Sequence, residues 1–190
     1  MLALIIDLDT KNLGDLDLLD KLKVKYNFFL SVVPPVYYLG DIVSSSRVRN
    51  AVSDGDIGKT REMLTRDYML SGKVMKGKQL GRTIGFPTVN LNYDKTFVLP
   101  KGGVYLTQVE YEDKLYRGIT NIGYNPTVED NKLSIETYIL DFNMCIYEKS
   151  IKVYFIEWIR DEKKFNSLEE LKDQLVKDKN YANNYNIIKI

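Results

Sequence analysis

The sequence predicts a mainly β fold, a barrel or sandwich of short strands with a C-terminal helix, preceded by a partial α/β segment. Three observations carry this reading. From Tyr68 onward, extended segments at about 68–76, 86–92, 103–111, 115–122, 133–141 and 151–159 are divided by turn signals, a spacing that suits an all-β barrel or sandwich rather than alternating βα units. Behind them, Ser167-Leu168-Glu169-Glu170 forms a capping-box pattern, and Leu168, Leu171 and Leu175 make one apolar stripe, so a terminal helix is expected to pack on the strands. Ahead of them, an apolar run to Ile6, the leucines 16, 18, 19 and 22 at helical spacing, and Phe28 to Val33 read as strand, helix, strand. One such βαβ crossover cannot cover its own strands on both faces, so it calls for a larger sheet.

The elements follow in order. Asp15 can cap the first helix, because a short acceptor side chain satisfies amides left free in the first turn. Pro34-Pro35 ends the strand at Phe28–Val33, since proline donates no ladder hydrogen bond. A hydroxyl and arginine cluster, Val43-Ser44-Ser45-Ser46-Arg47-Val48-Arg49, leads into two short helices, about 46–53 and 56–64, separated by Asp54-Gly55. The last strand, Ile151 to Ile159, alternates only partly and is therefore expected to be buried on more than one side. The Asn/Tyr-rich stretch from Asn180 to Ile190 reads as a frayed tail.

Composition narrows the chemistry. With 190 residues, 44% hydrophobic and 28% charged, the chain is an ordinary globular protein with room for one domain and an appendage. The 27 Lys and Arg balance 26 Asp and Glu, so no broad cationic field exists to grip nucleic acid or anionic lipid. The absence of histidine excludes Ser-His triads, His-based zinc hydrolases and His phosphotransfer. A single cysteine, Cys145, cannot form an internal disulfide, and it points to a reducing compartment, the cytoplasm. Flanked by Met144 and Ile146, it reads as a small buried hydrophobe.

The most informative stretch runs from Gly72 to Asn90. Lys73, Lys76, Lys78 and Arg82 occur there without an intervening carboxylate, and Gly77, Gly81 and Gly85 recur at every fourth position. Such a loop lets backbone amides approach an anion closely, although a solvated connection between strands has the same composition. It is not a Walker A loop, which needs Gly-Lys-Ser/Thr at a helix start. Thr88 and Asn90, two residues apart in an extended segment, leave the same face and offer hard oxygen donors for a Mg²⁺–phosphate group, or simply form a polar strand face. Glu136 alternates with Ile135 and faces away from it with Ser134 and Tyr138; it is either a base for an attacking alcohol or a surface carboxylate. Asp161 through Lys164 reads as an exposed turn, and Trp158 as core.

Taken together, Gly77 through Asn90, Gly103-Val104-Tyr105, Asn121-Ile122-Gly123 with Asn125-Pro126-Thr127, Ile135-Glu136 through Asp141-Phe142, and Arg160 through Phe165 resemble the riboflavin kinase module of bacterial bifunctional FAD synthetases. The match spans about 68–178. The resemblance implies a six-stranded Greek-key barrel that transfers the ATP γ-phosphate to the ribityl 5′-hydroxyl of riboflavin, giving FMN. It implies that Thr88 and Asn90 bind Mg²⁺–ATP, and that Gly77, Lys78, Gly81, Arg82, Gly85 and Pro87 belong to the loop over the nucleotide. Glu136 is then the base. It also divides the chain into 1–60, a residual C-terminal part of an adenylyltransferase-like α/β domain, 61–182, the kinase domain, and 183–190, a tail. The serine and arginine cluster resembles that domain's second phosphate motif. Its His-containing first motif is absent, so the FAD-forming step is expected to be lost, with the adenylyltransferase portion missing or held by a partner. Two departures stand out: Tyr138 in place of a histidine two positions after the base, and Glu148 where a glycine is usual. Two other readings are a flavin or nucleotide module without turnover, and a small barrel that binds single-stranded nucleic acid through the basic loop. The near-zero net charge argues against the last.

Overall fold

The computed structural model describes residues 16–77, 80–124 and 133–187. It divides into two compact units, 1–36 and 37–190. In the first, α1 spans Leu16–Tyr26, with Asp17 in its first turn and Lys23 and Lys25 in its last, charges that complement the helix dipole. The expected strand before it and the Asp15 cap lie outside the described residues. The strand expected at Phe28–Val33 is absent: the segment has no ladder partner among the described residues, and Phe29 and Val33 are exposed. A strand takes its hydrogen bonds from a neighbour, and apolar alternation alone does not supply them.

The second unit opens with a two-stranded ribbon, β1 (Tyr37–Tyr38) and β2 (Asp41–Ile42). Helices α2 (Ser45–Ser53) and α3 (Ile57–Leu64) follow where the sequence places them. Ser44 and Asp56 cap them, their side chains accepting from the amides of Arg47 and Lys59. The Arg47 guanidinium donates to the carbonyls of Asp41 and Ile42 and pairs with the Asp41 carboxylate, so it fastens the ribbon to α2.

The barrel comprises β3 (Tyr68–Met75), β4 (Thr88–Tyr93), β5 (Gly103–Tyr111), β6 (Lys114–Tyr124), β7 (Leu133–Ile139) and β8 (Ser150–Arg160). A four-residue helical turn, α4 (Leu80–Thr83), lies between β3 and β4. The sheet closes in the order β3-β4-β7-β6-β5-β8, every pair antiparallel. The meander β5-β6-β7 turns back to lay β7 beside β4, a Greek-key return.

Alternation along these strands builds two apolar layers. Leu70, Val74, Leu91, Tyr105, Val109, Ile122, Ile135, Ile139, Val153 and Phe155 fill the interior. Val104, Leu106, Ile119, Tyr138 and Ile156 face outward into a second cluster that takes in Ala182 and Leu175 of the terminal helix, α5 (Leu168–Asn184). Phe155 and Ile156 are both buried because β8 is covered on both sides, as its incomplete alternation predicts. Inside the barrel the hydroxyls of Thr107, Thr120 and Thr137 form a fully buried chain with 2.9 Å links, so three polar groups of β5, β6 and β7 satisfy one another.

Helix α5 begins at the expected cap, Ser167 accepting from the Glu170 amide at 3.1 Å. The Glu170 carboxylate reaches one residue further back than a standard capping box, to the Asn166 amide. The helix packs on the barrel as expected, and Leu175 of the expected stripe makes the contact; Leu168 at its start is exposed, and Asp178 and Ala182 complete the docking further along. The stretch from Asn180, expected to fray, is held. The Arg117 guanidinium donates to the carbonyls of Ala182 and Tyr185, and the Tyr185 hydroxyl donates to Glu157 at 2.9 Å. Carbonyls that a helix end leaves unpaired thus meet a cation. Asp178, only 2% exposed, takes a forked pair from Arg160 with distances of 2.7 to 3.2 Å, and Gln174 donates to it as well. Among the described residues no helix is long and apolar enough to cross a membrane.

Thr120→Val keeps the shape but leaves two buried hydroxyls without their shared partner, and urea unfolding should register a loss of about 2 kcal/mol. Asp178→Ala strands the Arg160 guanidinium beside an apolar layer; the expected loss in the same measurement is about 3 kcal/mol.

Candidate active site

Strand β4 starts directly after Pro87. Val89 packs against the barrel interior and Leu91 is buried in it, so Thr88 and Asn90 project from the outer face, as their spacing predicts. On β7, Ile135, Thr137 and Ile139 are buried, which turns Ser134, Glu136 and Tyr138 outward. The register then sets Asn90 directly opposite Glu136, and Thr88 opposite Tyr138. Directly paired residues carry their Cβ atoms about 5 Å apart, so the Asn90 amide and the Glu136 carboxylate are immediate neighbours. Across the other edge of β7, Glu136 pairs with Asn121 of β6.

The segment before β4 folds down on this row. A Cβ at Gly77 would stand 2.1 Å from Asn90 Nδ2, so the glycine lets the chain rest on that amide without turning the Asn90 side chain aside. Gly81 lies as close to the Phe86 carbonyl, at 2.2 Å for a Cβ, and its own carbonyl accepts from the Phe86 amide at 2.8 Å. Gly81 sits in α4, a single turn after which the chain reverses at Gly85 with φ 85°. The segment is therefore a folded flap with a helical turn rather than an open connection. Phe86 rests edge-on against Tyr138, ring centroids 5.1 Å apart, and so joins the flap to the strand that bears Glu136. Lys78 lies outside the described residues, as do Asn125, Pro126 and Thr127.

Beside the row is a cleft of about 370 Å³, lined by Arg82, Pro87 and Thr88 from the flap and β4 and by Phe142, Met144 and Tyr147 from the β7–β8 connection. Its volume lies within the range of small-ligand sites, and its mixed apolar and cationic wall suits a ring system carrying an anionic tail. Of the nine site residues named from sequence, Arg82, Pro87 and Thr88 line this cleft. Gly77, Asn90 and Glu136 form the row next to it, and Gly81 and Gly85 shape the flap. The wall at 142–147 carries no periodic signal and escaped the sequence reading. One member of it is a correction: Cys145 is exposed on the cleft, and it is Ile146 that fills the buried place.

Glu148, one of the two departures, adopts φ 61°, the left-handed region that glycine occupies freely. The turn still forms, with the Glu148 amide donating to Val74 at 2.8 Å and the Val74 amide to Lys149 at 2.9 Å. Those two bonds hold a residue that on its own disfavours this conformation by about 1–2 kcal/mol.

Among the described residues no group of three or more His, Cys, Asp and Glu side chains is placed to hold a metal ion. Thr88 and Asn90 offer a hydroxyl and an amide oxygen, hard donors that fit a Mg²⁺ ion sharing its shell with phosphate and water, and the Glu136 carboxylate stands beside them.

Gly81→Ala forces the Phe86 carbonyl away. Hydrogen exchange at the Phe86 amide should accelerate by at least about 10-fold, as one backbone bond of local protection is lost, with the barrel amides unchanged.

Comparison with known proteins identifies the lineage. A family model described as Flavokinase, riboflavin kinase, matches residues 64–186. The bifunctional riboflavin kinase/FMN adenylyltransferase of Bacillus subtilis is 39% identical over 146 residues, 75% of this chain and 46% of the relative. Its counterpart from Escherichia coli K12 is 37% identical over 166 residues, 87% of this chain and 53% of the relative. This chain thus spans about half the length of these curated relatives. A solved structure from Streptococcus pneumoniae, titled a macrolide-efflux protein, superposes with a TM-score of 0.79 at 35% identity, over 88% of this chain and 55% of that one. The matched region contains the barrel, the flap, the row of Asn90 and Glu136 and the whole of α5: the chain belongs to the riboflavin kinase family.

Proposed function

We propose that this chain is an ATP-dependent riboflavin kinase that forms FMN. The observation that carries the reading is the β4–β7 register, which makes Asn90 and Glu136 direct neighbours beneath a glycine flap built to touch the Asn90 amide. Phosphoryl transfer demands mainly positioning and charge stabilisation, and the row places an oxygen-donor pair beside a carboxylate. In this reading the cleft takes the nucleoside end of ATP, and Arg82 and the amides of the 77–85 flap lie along its phosphates. Thr88 and Asn90 hold Mg²⁺ with the nucleotide. The bound ion neutralises phosphate charge. Glu136 orients the ribityl 5′-hydroxyl and accepts its proton as the hydroxyl oxygen bonds to the γ-phosphorus; the bond from that phosphorus to the bridging oxygen breaks, and ADP leaves.

Tyr138 takes no part in proton transfer in this scheme. Its ring braces Phe86 and so sets the height of the flap over Thr88. The adenylyl step that converts FMN to FAD is not assigned to these 190 residues, which contain no histidine for its first phosphate motif. A cytoplasmic setting, where ATP is available and the exposed Cys145 thiol stays reduced, accords with this activity.

Incubation with riboflavin and Mg²⁺–ATP should yield FMN and no FAD, as read by chromatography. Glu136→Gln should lower kcat by about 10²–10⁴-fold with the fold intact, the range for loss of a general base. Well-folded protein that binds flavin without forming FMN would instead favour a binding module.

A further inference from the structure

The row of outward side chains has a direction. Asn90 on β4 lies to one side of Glu136 and Asn121 on β6 to the other, each paired with it by register. The flap rests on β4, and the cleft lies between the start of β4 and the connection that follows β7, with no residue of β6 in its wall. In an in-line phosphoryl transfer the attacking oxygen approaches opposite the leaving oxygen. With the nucleotide over β4, the acceptor must therefore reach Glu136 from the β6 side. What stands there decides which alcohols are accepted.

Glu162 stands there. Asn121 Nδ2 donates to Glu162 Oε1 at 3.5 Å. The carboxylate also lies over two glycines: a Cβ at Gly123 would fall 1.7 Å from Glu162 Oε1, and one at Gly102 would fall 3.7 Å from Oε2. The segment that presents it is braced. Arg160, forked onto the buried Asp178, sends its Nη1 to the Asp161 carbonyl at 3.1 Å, and Lys101 Nζ reaches the Asp161 carboxylate at 3.4 Å. Glu162 is exposed toward solvent, so it is open to a ligand lying along β6.

Resting on the riboflavin kinase reading, we infer that Glu162 is a specificity-determining residue for the acceptor, receiving hydrogen bonds from hydroxyls of the polyol chain further from the reacting 5′ end. A carboxylate is an acceptor with two oxygens and no donor, matched to a ligand segment that carries adjacent O–H donors. Asn121 pairs by register with Glu136 and donates to Glu162, so it links the two carboxylates along the row. The stretch is exposed, as the sequence reading expects, but it is irregular rather than a turn, and that reading misses its position.

The test is steady-state kinetics on Glu162→Gln and Glu162→Ala together with fluorescence titration of riboflavin and of lumiflavin, which has the same ring and no polyol. Removal of the carboxylate should raise KM for riboflavin by about 10-fold or more, the size of a lost hydrogen bond to a charged group, and leave KM for ATP within about twofold. The preference for riboflavin over lumiflavin should fall by a similar factor. Gly123→Ala, which displaces the carboxylate without removing it, should move the same two quantities. An unchanged riboflavin KM and an unchanged riboflavin-to-lumiflavin ratio, in variants of an active enzyme, overturn this inference alone. A wild-type protein that forms no FMN overturns the functional reading and this inference with it.

Discussion

Each strand of the barrel commits alternate residues to an apolar interior, and a slip of one residue in any pairing would exchange the two faces. Closure makes this constraint collective. The order β3-β4-β7-β6-β5-β8 has no free edge at which a misregistered strand is tolerated, so the interior residues Leu91, Ile135 and Ile122 jointly fix where Asn90, Glu136 and Asn121 emerge. The polar row is a by-product of packing. Its members come from three strands with no local link between them, yet their spacing is set as firmly as that of the core. The threonine chain inside serves the same end, since its hydroxyls pair only when β5, β6 and β7 keep their register.

The strands were legible in the sequence because each carries its own alternation and its own flanking turns. The expected segment 103–111 coincides with β5, and the other five differ from the observed strands by up to two residues at an end. The caps at Ser44, Asp56 and Ser167 were legible for the same local reason. Features that depend on distant partners were not. Phe28 to Val33 has the composition of a strand and no neighbour to bond with among the described residues. Residues 180–187 look frayed until Arg117 and Glu157, tens of residues earlier, supply their hydrogen bonds. Cys145 is flanked by apolar residues, but the left-handed turns at Asp141 and Glu148 present the connection differently, with Ile146 inward.

At the site, the residue types and their faces followed from spacing, while their adjacency did not. Thr88 and Asn90 lie two apart in one strand, a relation that a sequence displays. Glu136 lies far along the chain, and only the Greek-key return of β7 onto β4 brings it to Asn90. The resemblance to a known family connected them before the topology did. The folded flap adds what neither spacing nor resemblance conveyed, namely that Gly81 is needed for close contact with the Phe86 carbonyl beneath it rather than for freedom in solvent.

Arg117 and Asn121 share β6, four residues apart, and alternation sends both to its outer face. One grips the carbonyls at the end of α5, and the other stands beside Glu136. The helix end is also tied to β8 through Asp178 and Arg160, whose guanidinium steadies the segment that carries Glu162. Residues 160–185 therefore work as a splint laid across the back of two strands. That segment thereby bridges β6 and β8, which both flank β5 but are not neighbours in the sheet.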